Sequence, residues 1–519
     1  MTYLEKIHAK GVDFYRAKNY DAALKIADKL QRRDPNYKMS YYLEFAVWKD
    51  LNNYVKEYDA LKKILPLLKF SSPAEKNFAG EIFSYLGNVC ANLALPKEAA
   101  KFYSSVIKMF TPPKTERAVG SNLFFENSRE DSSLESFRAL YDEYKKILAD
   151  IKPFPKKFFS HEKIRIGFLS ASFYFHPVIN WSWSLLTRLD KKFFATYFYS
   201  NNAKTDAVTK HLRETADGWR EIFSLTNEQA AKLIRADEID ILFELDGHTE
   251  KNRLPVAAYR PASVQVSGIG YMNSTGLDCF DYFLSDETCA GDENFFTEKV
   301  LKLPHSHFCY EPTTQLKFFV PPPGLKNKFV TFGCFNQFQK ITDSMLRAWK
   351  KILDAVPDSR LLLKNKVLNT EDGENFVGER LKNFGFDLAR VEMRGDSKTW
   401  LAEYADIDIA LDTFPYTGGV TTCEALYMGV PVVSLYGNRH GSRFGLSILK
   451  NIGLEELAVN SYDEYIARAV MLANDWELLT LLRKNLRLMM KKSPLMDSEN
   501  YLREIQTAFK KILELRKIH

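Results

Sequence analysis

The sequence predicts an α/β protein in which two doubly wound halves follow an all-helical front, and three observations carry that reading. From about residue 161 onward, short apolar runs alternate with helical stretches in two successive sets. Before about residue 119 small residues recur at fixed spacing in helical stretches instead. The stretch from Asp412 to Glu424 reads as a buried strand that breaks into a glycine turn and then starts a helix.

In the front region Gly11, Ala23 and Pro35 stand at 12-residue steps, and Gly87, Ala99 and Thr111 repeat that spacing with Pro112 just after. Between the two frames lies room for a degenerate middle unit containing Tyr41 to Leu68. Small residues at such intervals fit tightly crossed helix pairs, so residues 1–118 resemble a short tetratricopeptide array. An irregular bundle is the alternative, and in either form the region is apt to dock proteins. Residues 119–160 are expected to form a helical linker, with a helix from Ser132 to Ile151 that stops at Lys152-Pro153-Phe154-Pro155.

The first α/β half, residues 161–315, has expected strands over Lys163–Ser170, Phe193–Ser200, Ile239–Leu245 and Ser263–Gly268. The second, residues 316–519, has them from Phe329, Arg360, Arg390, Ile407 and Val430, with a closing helix over about 496–516. Such sheets bind ligands beyond the carboxyl ends of their strands, which makes each strand-to-loop junction a candidate site.

Several junctions carry suitable chemistry. Gly418 and Gly419 permit close backbone approach or positive φ, and Thr421 and Thr422 bring hydroxyls to a helix start whose free N–H groups suit phosphate. Glu424 is placed to accept hydrogen bonds from ribose hydroxyls; a plain βα turn with a threonine cap is the other reading. His176 follows the first strand and His248 the third, each in a loop at the ligand edge. Lys340 opens a helix, where a lysine is a poor structural choice unless an anion shares the space; the alternative is a solvent-facing lysine. After another strand, Gly395 and Trp400 offer backbone groups and an indole face to a planar base, or Trp400 anchors the core.

Metal readings are weaker. Asp406-Ile-Asp408 merely alternates along a strand, and His305-x-His307 lacks a third ligand nearby in sequence, so no metal and no cofactor are expected. The 519 residues, 45% hydrophobic and 27% charged, can bury full cores, and the net charge of +6 is spread too evenly to suggest nucleic acid. Six cysteines without a Cys-x-x-Cys pair suggest reduced thiols in a cytoplasmic protein. No apolar run is long enough to span a membrane.

Phe173-Tyr-Phe-His176-Pro177, Asp246-Gly-His248-Thr with Tyr259 to Gln265, Gly270 to Gly276, Phe335-Asn-Gln337-Phe-Gln-Lys340 and Asp412 to Glu424 occur in that order. Together they resemble the O-GlcNAc transferase family, glycosyltransferase family 41, and its bacterial members in particular. The resemblance implies a GT-B arrangement of two Rossmann-like domains behind helical repeats. It also implies that Lys340 and Gln337 meet a diphosphate, that Thr421 and Thr422 contact it, and that Glu424 takes the place of an acidic ribose ligand. Trp400 falls where relatives carry a histidine stacked on uracil. Val420 and Met272-Asn273 also depart from the family pattern. The activity implied is inverting, metal-independent transfer of a sugar, GlcNAc first, from a UDP-sugar to Ser or Thr of a protein docked on the repeats. His176 would position or deprotonate the acceptor, and His248 would touch sugar or acceptor. Asparagine N-glucosylation from UDP-glucose and a non-catalytic repeat adaptor are the alternatives. The intact set of His176, Lys340 and the phosphate loop disfavours the adaptor.

Overall fold

The computed structural model describes residues 2–111, 115–312 and 320–518. Six helices form three consecutive hairpins: α1 (Tyr3–Arg16) with α2 (Tyr20–Arg33), α3 (Lys38–Asp50) with α4 (Tyr54–Ile64), and α5 (Pro73–Asn92) with α6 (Pro96–Met109). Each hairpin turns through one left-handed residue, Lys18, Asn52 or Ala94, at φ between 54° and 57°. The hydrogen bonds around the three turns are identical in pattern, as in Asn19 N–H to Phe14 O, Asn53 N–H to Trp48 O and Leu95 N–H to Cys90 O. Lys18 and Asn52 stand 34 residues apart, the period of a tetratricopeptide unit, while Asn52 and Ala94 stand 42 apart because a 3-10 turn (Leu65–Leu67) and the 20-residue α5 lengthen the step. An array of repeated units therefore replaces the irregular bundle. The small residues do what their spacing predicts: a Cβ on Gly11 would lie 2.6 Å from Leu43, and one on Gly87 2.5 Å from the Tyr103 ring. The Pro112 beside the second frame lies outside the described residues.

The expected linker is no linker. α7 (Glu116–Glu126), which begins before residue 119, and α8 (Leu134–Leu148) close a core with the first α/β half, where Leu123, Phe137, Tyr141 and Tyr144 pack with Leu254, Leu277, Phe280 and Phe295. Their apolar faces need a partner, and the nearest unburied one belongs to that half.

The first half is a seven-stranded, wholly parallel sheet: β1 (Ile164–Ser170), β2 (Phe194–Ser200), β3 (Gly218–Glu221), β4 (Ile241–Glu244), β5 (Val264–Gly268), β6 (Tyr282–Asp286) and β7 (Lys299–Leu303), in the order β3-β2-β1-β4-β5-β6-β7. The second has six: β8 (Thr331–Cys334), β9 (Arg360–Lys364), β10 (Val391–Arg394), β11 (Ile409–Leu411), β12 (Val432–Leu435) and β13 (Ala458–Val459), in the order β10-β9-β8-β11-β12-β13. Strand order reverses between β1 and β4 in one sheet and between β8 and β11 in the other. Those are the points where doubly wound sheets open a crevice.

One domain assignment is corrected. The closing helix, Ser498–Ile518, does not join the second half but crosses back onto the first, where Phe509 meets Phe243, Gln506 accepts from the Asp190 N–H and Arg516 lies 3.6 Å from Asp281. The β5 to β7 side of that sheet needs a cover, and this helix supplies it. Five of the six cysteines are buried and all are free thiols. Among the described residues no helix is long and apolar enough to cross a membrane.

Candidate active site at the two switch points

Lys340 leaves the end of β8 in a 3-10 turn (Phe338–Lys340), and the loop Asp412–Gly419 leaves the end of β11 before the helix Val420–Tyr427, so both flank the same switch point. Asp412 holds the loop in shape. Its Oδ1 accepts from the N–H of Thr413 at 2.8 Å and of Gly418 at 2.7 Å, and its Oδ2 from Ser434 Oγ at 2.7 Å. Phe414-Pro415 is cis. Gly418 is needed for close approach, since a Cβ there would lie 2.5 Å from Thr422 Oγ1 and 2.9 Å from Asp412 Oδ1; neither Gly418 nor Gly419 has positive φ. Gly419 caps the helix without a side-chain acceptor, which leaves the first-turn N–H groups to a ligand rather than to a threonine cap.

Lys340 is buried, which removes the solvent-facing reading. Its Nζ donates to Thr417 O at 3.2 Å and Asn336 Oδ1 at 3.5 Å and lies 3.6 Å over the Tyr416 ring. Burial pushes its pKa down to about 8, against the pull of Asp412 and Cys334. Among the described residues it has no ion-pair partner. Asn336 ties the two strand ends together: Oδ1 also accepts from Thr421 Oγ1 at 3.0 Å, and Nδ2 donates to Asp412 Oδ1 at 3.4 Å.

Trp400 is half-buried, and its Nε1 donates to Glu424 Oε1 at 3.1 Å. The indole and the carboxylate are thus fixed edge to edge. Burial pushes the Glu424 carboxyl up to about 7, opposed by bonds from Trp400 and Tyr404. Gln337 is exposed and accepts from Gln339 Nε2 at 2.7 Å, so its side chain does not join Lys340. The Gly395 carbonyl is taken by Lys364, whose ammonium also pairs with Glu403.

In the first half the histidines flank the β1/β4 switch point. His176 is half-buried; its Nδ1 accepts from the Val178 N–H at 3.3 Å, and burial, with Lys204 nearby, lowers its pKa. The neutral ring therefore carries its proton on Nε2. His248 is fully buried: Nε2 donates to Thr275 O at 2.7 Å, Tyr144 and Tyr271 pack edge-on at 5.0 and 5.3 Å, and burial pushes the ring down to about 4. Its Nδ1 has no hydrogen-bond partner among the described residues. The structure thus sets His248 beneath α7 and α8 rather than in the open crevice.

Asp408 and Asp406 are structural: Asp408 accepts from the N–H of Gly324 and Thr331, and Asp406 pairs with Arg394 at 2.6 Å. Sequence reasoning passed over Asn336, Tyr416 and the bracing role of Asp412. A polar residue within two positions of the end of a buried strand is the signal that marks Asn336 and Asp412; Tyr416 gives none.

Two facing Rossmann-like sheets, each with its chemistry at the switch point, define a GT-B glycosyltransferase. The sequence profile of Glycosyl transferase family 41 matches residues 144–320 and 322–505, and the chain belongs to that family. A tomato (Solanum lycopersicum) protein described as a probable UDP-N-acetylglucosamine peptide N-acetylglucosaminyltransferase, SPINDLY, is 38% identical over 354 residues, which are 66% of this chain and 38% of that protein. Its barley (Hordeum vulgare) counterpart is 34% identical over 396 residues, 75% of this chain and 42% of that one. The chain thus spans less than half the length of these relatives. A point mutant of Thermobaculum terrenum O-GlcNAc transferase superposes with a TM-score of 0.87 at 27% identity, covering 99% of both chains.

Proposed function

We propose that the chain is an inverting protein O-glycosyltransferase that moves a sugar, GlcNAc first, from a UDP-sugar to Ser or Thr hydroxyls. The observation that carries this reading is Lys340: a buried cation with no ion-pair partner among the described residues, at the switch point and beside a helix start whose N–H groups are uncapped. As the glycosidic bond to UDP breaks, negative charge grows on the β-phosphate. Lys340, the helix start and the hydroxyls of Thr421 and Thr422 are preorganised to receive it without a metal at the donor site. Glu424 accepts from the ribose hydroxyls and Trp400 flanks the base. With its proton on Nε2, His176 is set to donate to an acceptor or sugar oxygen, which favours a positioning role over that of general base.

The three hairpins favour Ser and Thr over Asn, because the superposition that includes them is with an O-GlcNAc transferase. Incubation with a panel of UDP-sugars and mass-spectrometric mapping on co-expressed proteins tests the whole reading. Modified Ser or Thr with UDP-GlcNAc is the expected result. Modification confined to Asn with UDP-glucose would transfer the chain to the other branch, and no transfer from any UDP-sugar would leave the adaptor.

A further inference from the structure

A second group of chemically able side chains lies where the two α/β halves meet. Cys289 follows β6, His307 follows β7, and His440 opens a 3-10 turn (His440–Ser442) after β12. All three are buried, and the thiol and one ring nitrogen of each histidine lie within 4.8 Å of one another. We propose that Cys289, His307 and His440 form a structural cation site, of the thiolate and imidazole chemistry that holds Zn²⁺ or Cu⁺, clasping the two halves together.

The hydrogen bonds around the cluster are those of ligands held in readiness. His307 Nδ1 lies 2.6 Å from Asp286 Oδ2, and a carboxylate only accepts, so Nδ1 donates. His440 Nδ1 lies 3.3 Å from the Met272 carbonyl and donates likewise. With Nδ1 donating in both rings, Nε2 is the nitrogen left to offer a lone pair, and among the described residues both Nε2 atoms are buried without a hydrogen-bond partner. A histidine whose second nitrogen is tied to a carboxylate or a backbone carbonyl is the usual arrangement behind a metal-binding imidazole. Two orphaned nitrogens in one buried cluster are otherwise a cost, since each has given up its hydrogen bonds to water without a replacement.

Asp286 is itself fixed, accepting from the N–H groups of Thr288 at 3.0 Å and Cys289 at 2.6 Å and from Ser447 Oγ at 2.9 Å. Among the described residues its partners include no lysine or arginine, so the buried carboxylate also gains from a nearby cation. Rings of Phe283, Phe296, Phe308 and Phe444 stand 3.8 to 5.9 Å from one or other imidazole. Such walls favour a borderline or soft ion over a hydrated hard one. Binding converts the Cys289 S–H to a metal thiolate and releases its proton to solvent. Three protein ligands suit trigonal Cu⁺, or Zn²⁺ with a fourth, exogenous ligand. The neighbouring Gly441 carbonyl accepts from Thr417 N–H at 3.1 Å and Oγ1 at 3.0 Å, so the clasp also steadies the loop that carries the proposed phosphate site. His440 stands 133 positions after His307, which is why His305-x-His307 shows no third ligand nearby in sequence.

The test uses the full chain purified without chelator. Elemental analysis is expected to find about one equivalent of Zn or Cu per chain, chelation to lower the melting temperature, and readdition of the native ion, not the other, to restore it. Co²⁺ added to the stripped protein is expected to give thiolate-to-cobalt charge-transfer absorption, which Cys289→Ser abolishes and His305→Ala, on the surface, does not. Less than about a tenth of an equivalent of metal, together with no charge-transfer band in the folded wild-type chain, would overturn the proposal. So would full absorption in Cys289→Ser. Should that variant fail to fold, the wild-type cobalt spectrum and chelator melt decide by the same criteria.

Discussion

The Lys340 ammonium lies 3.6 Å from the centroid of the Tyr416 ring and donates to the carbonyl of Thr417, the next residue along the loop. It is a cation held by neutral groups. Its charge is fully compensated only when an anion enters the switch point, so Lys340 trades stability for binding.

That trade gives a prediction opposite in sign to what a surface lysine would give. The folded state lowers the Lys340 pKa from 10.5 to about 8, so the folded chain binds this proton less tightly than the unfolded one. The resulting penalty is present in full below about pH 8 and fades as pH rises toward 10.5. Lys340→Met should therefore melt a few degrees higher than wild type at pH 7, a gain of order 3 kcal/mol at most, while transfer falls on the order of 10²-fold. Scanning calorimetry with a transfer assay checks both, and a Lys340→Met protein that transfers normally removes Lys340 from the chemistry.

The same group sets a pH limit on donor binding. UDP should bind more weakly above pH 8 as free Lys340 loses its proton, by up to about tenfold per pH unit. Titration calorimetry from pH 6.5 to 9.5 should show the decline in wild type and a flatter profile in Lys340→Met. A decline of equal steepness in both would assign it to another group.

Trp400 and Glu424 should behave as a unit because the indole N–H fixes the carboxylate. Trp400→Ala should weaken UDP binding by about 1–3 kcal/mol, and Trp400→Phe, which keeps a ring but loses the hydrogen bond, by about 1 kcal/mol or less. Trp400→His should recover much of the alanine loss. Equal affinities in wild type and Trp400→Ala would make Trp400 a packing residue.

The fold was legible where burial leaves a periodic trace. The strands flanking both switch points are mostly apolar and buried, whereas β3, β6, β7 and β13 escaped notice because they are short or lie toward the sheet edge, with charged residues interleaved as in Lys299-Val-Leu-Lys-Leu303. The helical hairpins showed through Gly11 and Gly87, whose missing side chains are set by close crossings. Residues that act through long-range contacts stayed hidden. Tyr416 matters because Lys340 folds over it, His248 is covered by helices more than a hundred residues upstream, and the closing helix returns to a sheet from which the second half separates it. None of these leaves a local pattern.

His176 should reveal its role through an amide. With Nδ1 accepting from Val178, Nε2–H is the group presented outward, and a glutamine amide can offer a similar donor. His176→Gln should then keep about tenfold more transfer than His176→Ala, with UDP affinity unchanged in both. A base at this position predicts instead that glutamine is as inactive as alanine, so kcat for the two variants at pH 7.5 separates the roles.

The last prediction concerns the helical array. Deleting everything before residue 116 is not a clean cut, because Asn53 and Lys56 bond to Asp372 of the second half, and Cys90 and Tyr103 pack with Phe125 of α7. The first hairpin, α1 and α2, rests chiefly on α3, with Ala23, Ala27, Leu43 and Val47 as the buried contact. Removing residues 1–36 should therefore leave the donor site intact, with UDP-sugar hydrolysis within about twofold of wild type. Transfer to a protein acceptor should fall by about tenfold or more if the array docks it, while a short peptide acceptor is affected far less. The exposed face of α3 makes it necessary to confirm helix content and a monomeric state first, by circular dichroism and light scattering. A folded truncation that glycosylates its protein acceptor at the wild-type rate would show that docking does not use the first hairpin, and would move the search to helices α3 to α6.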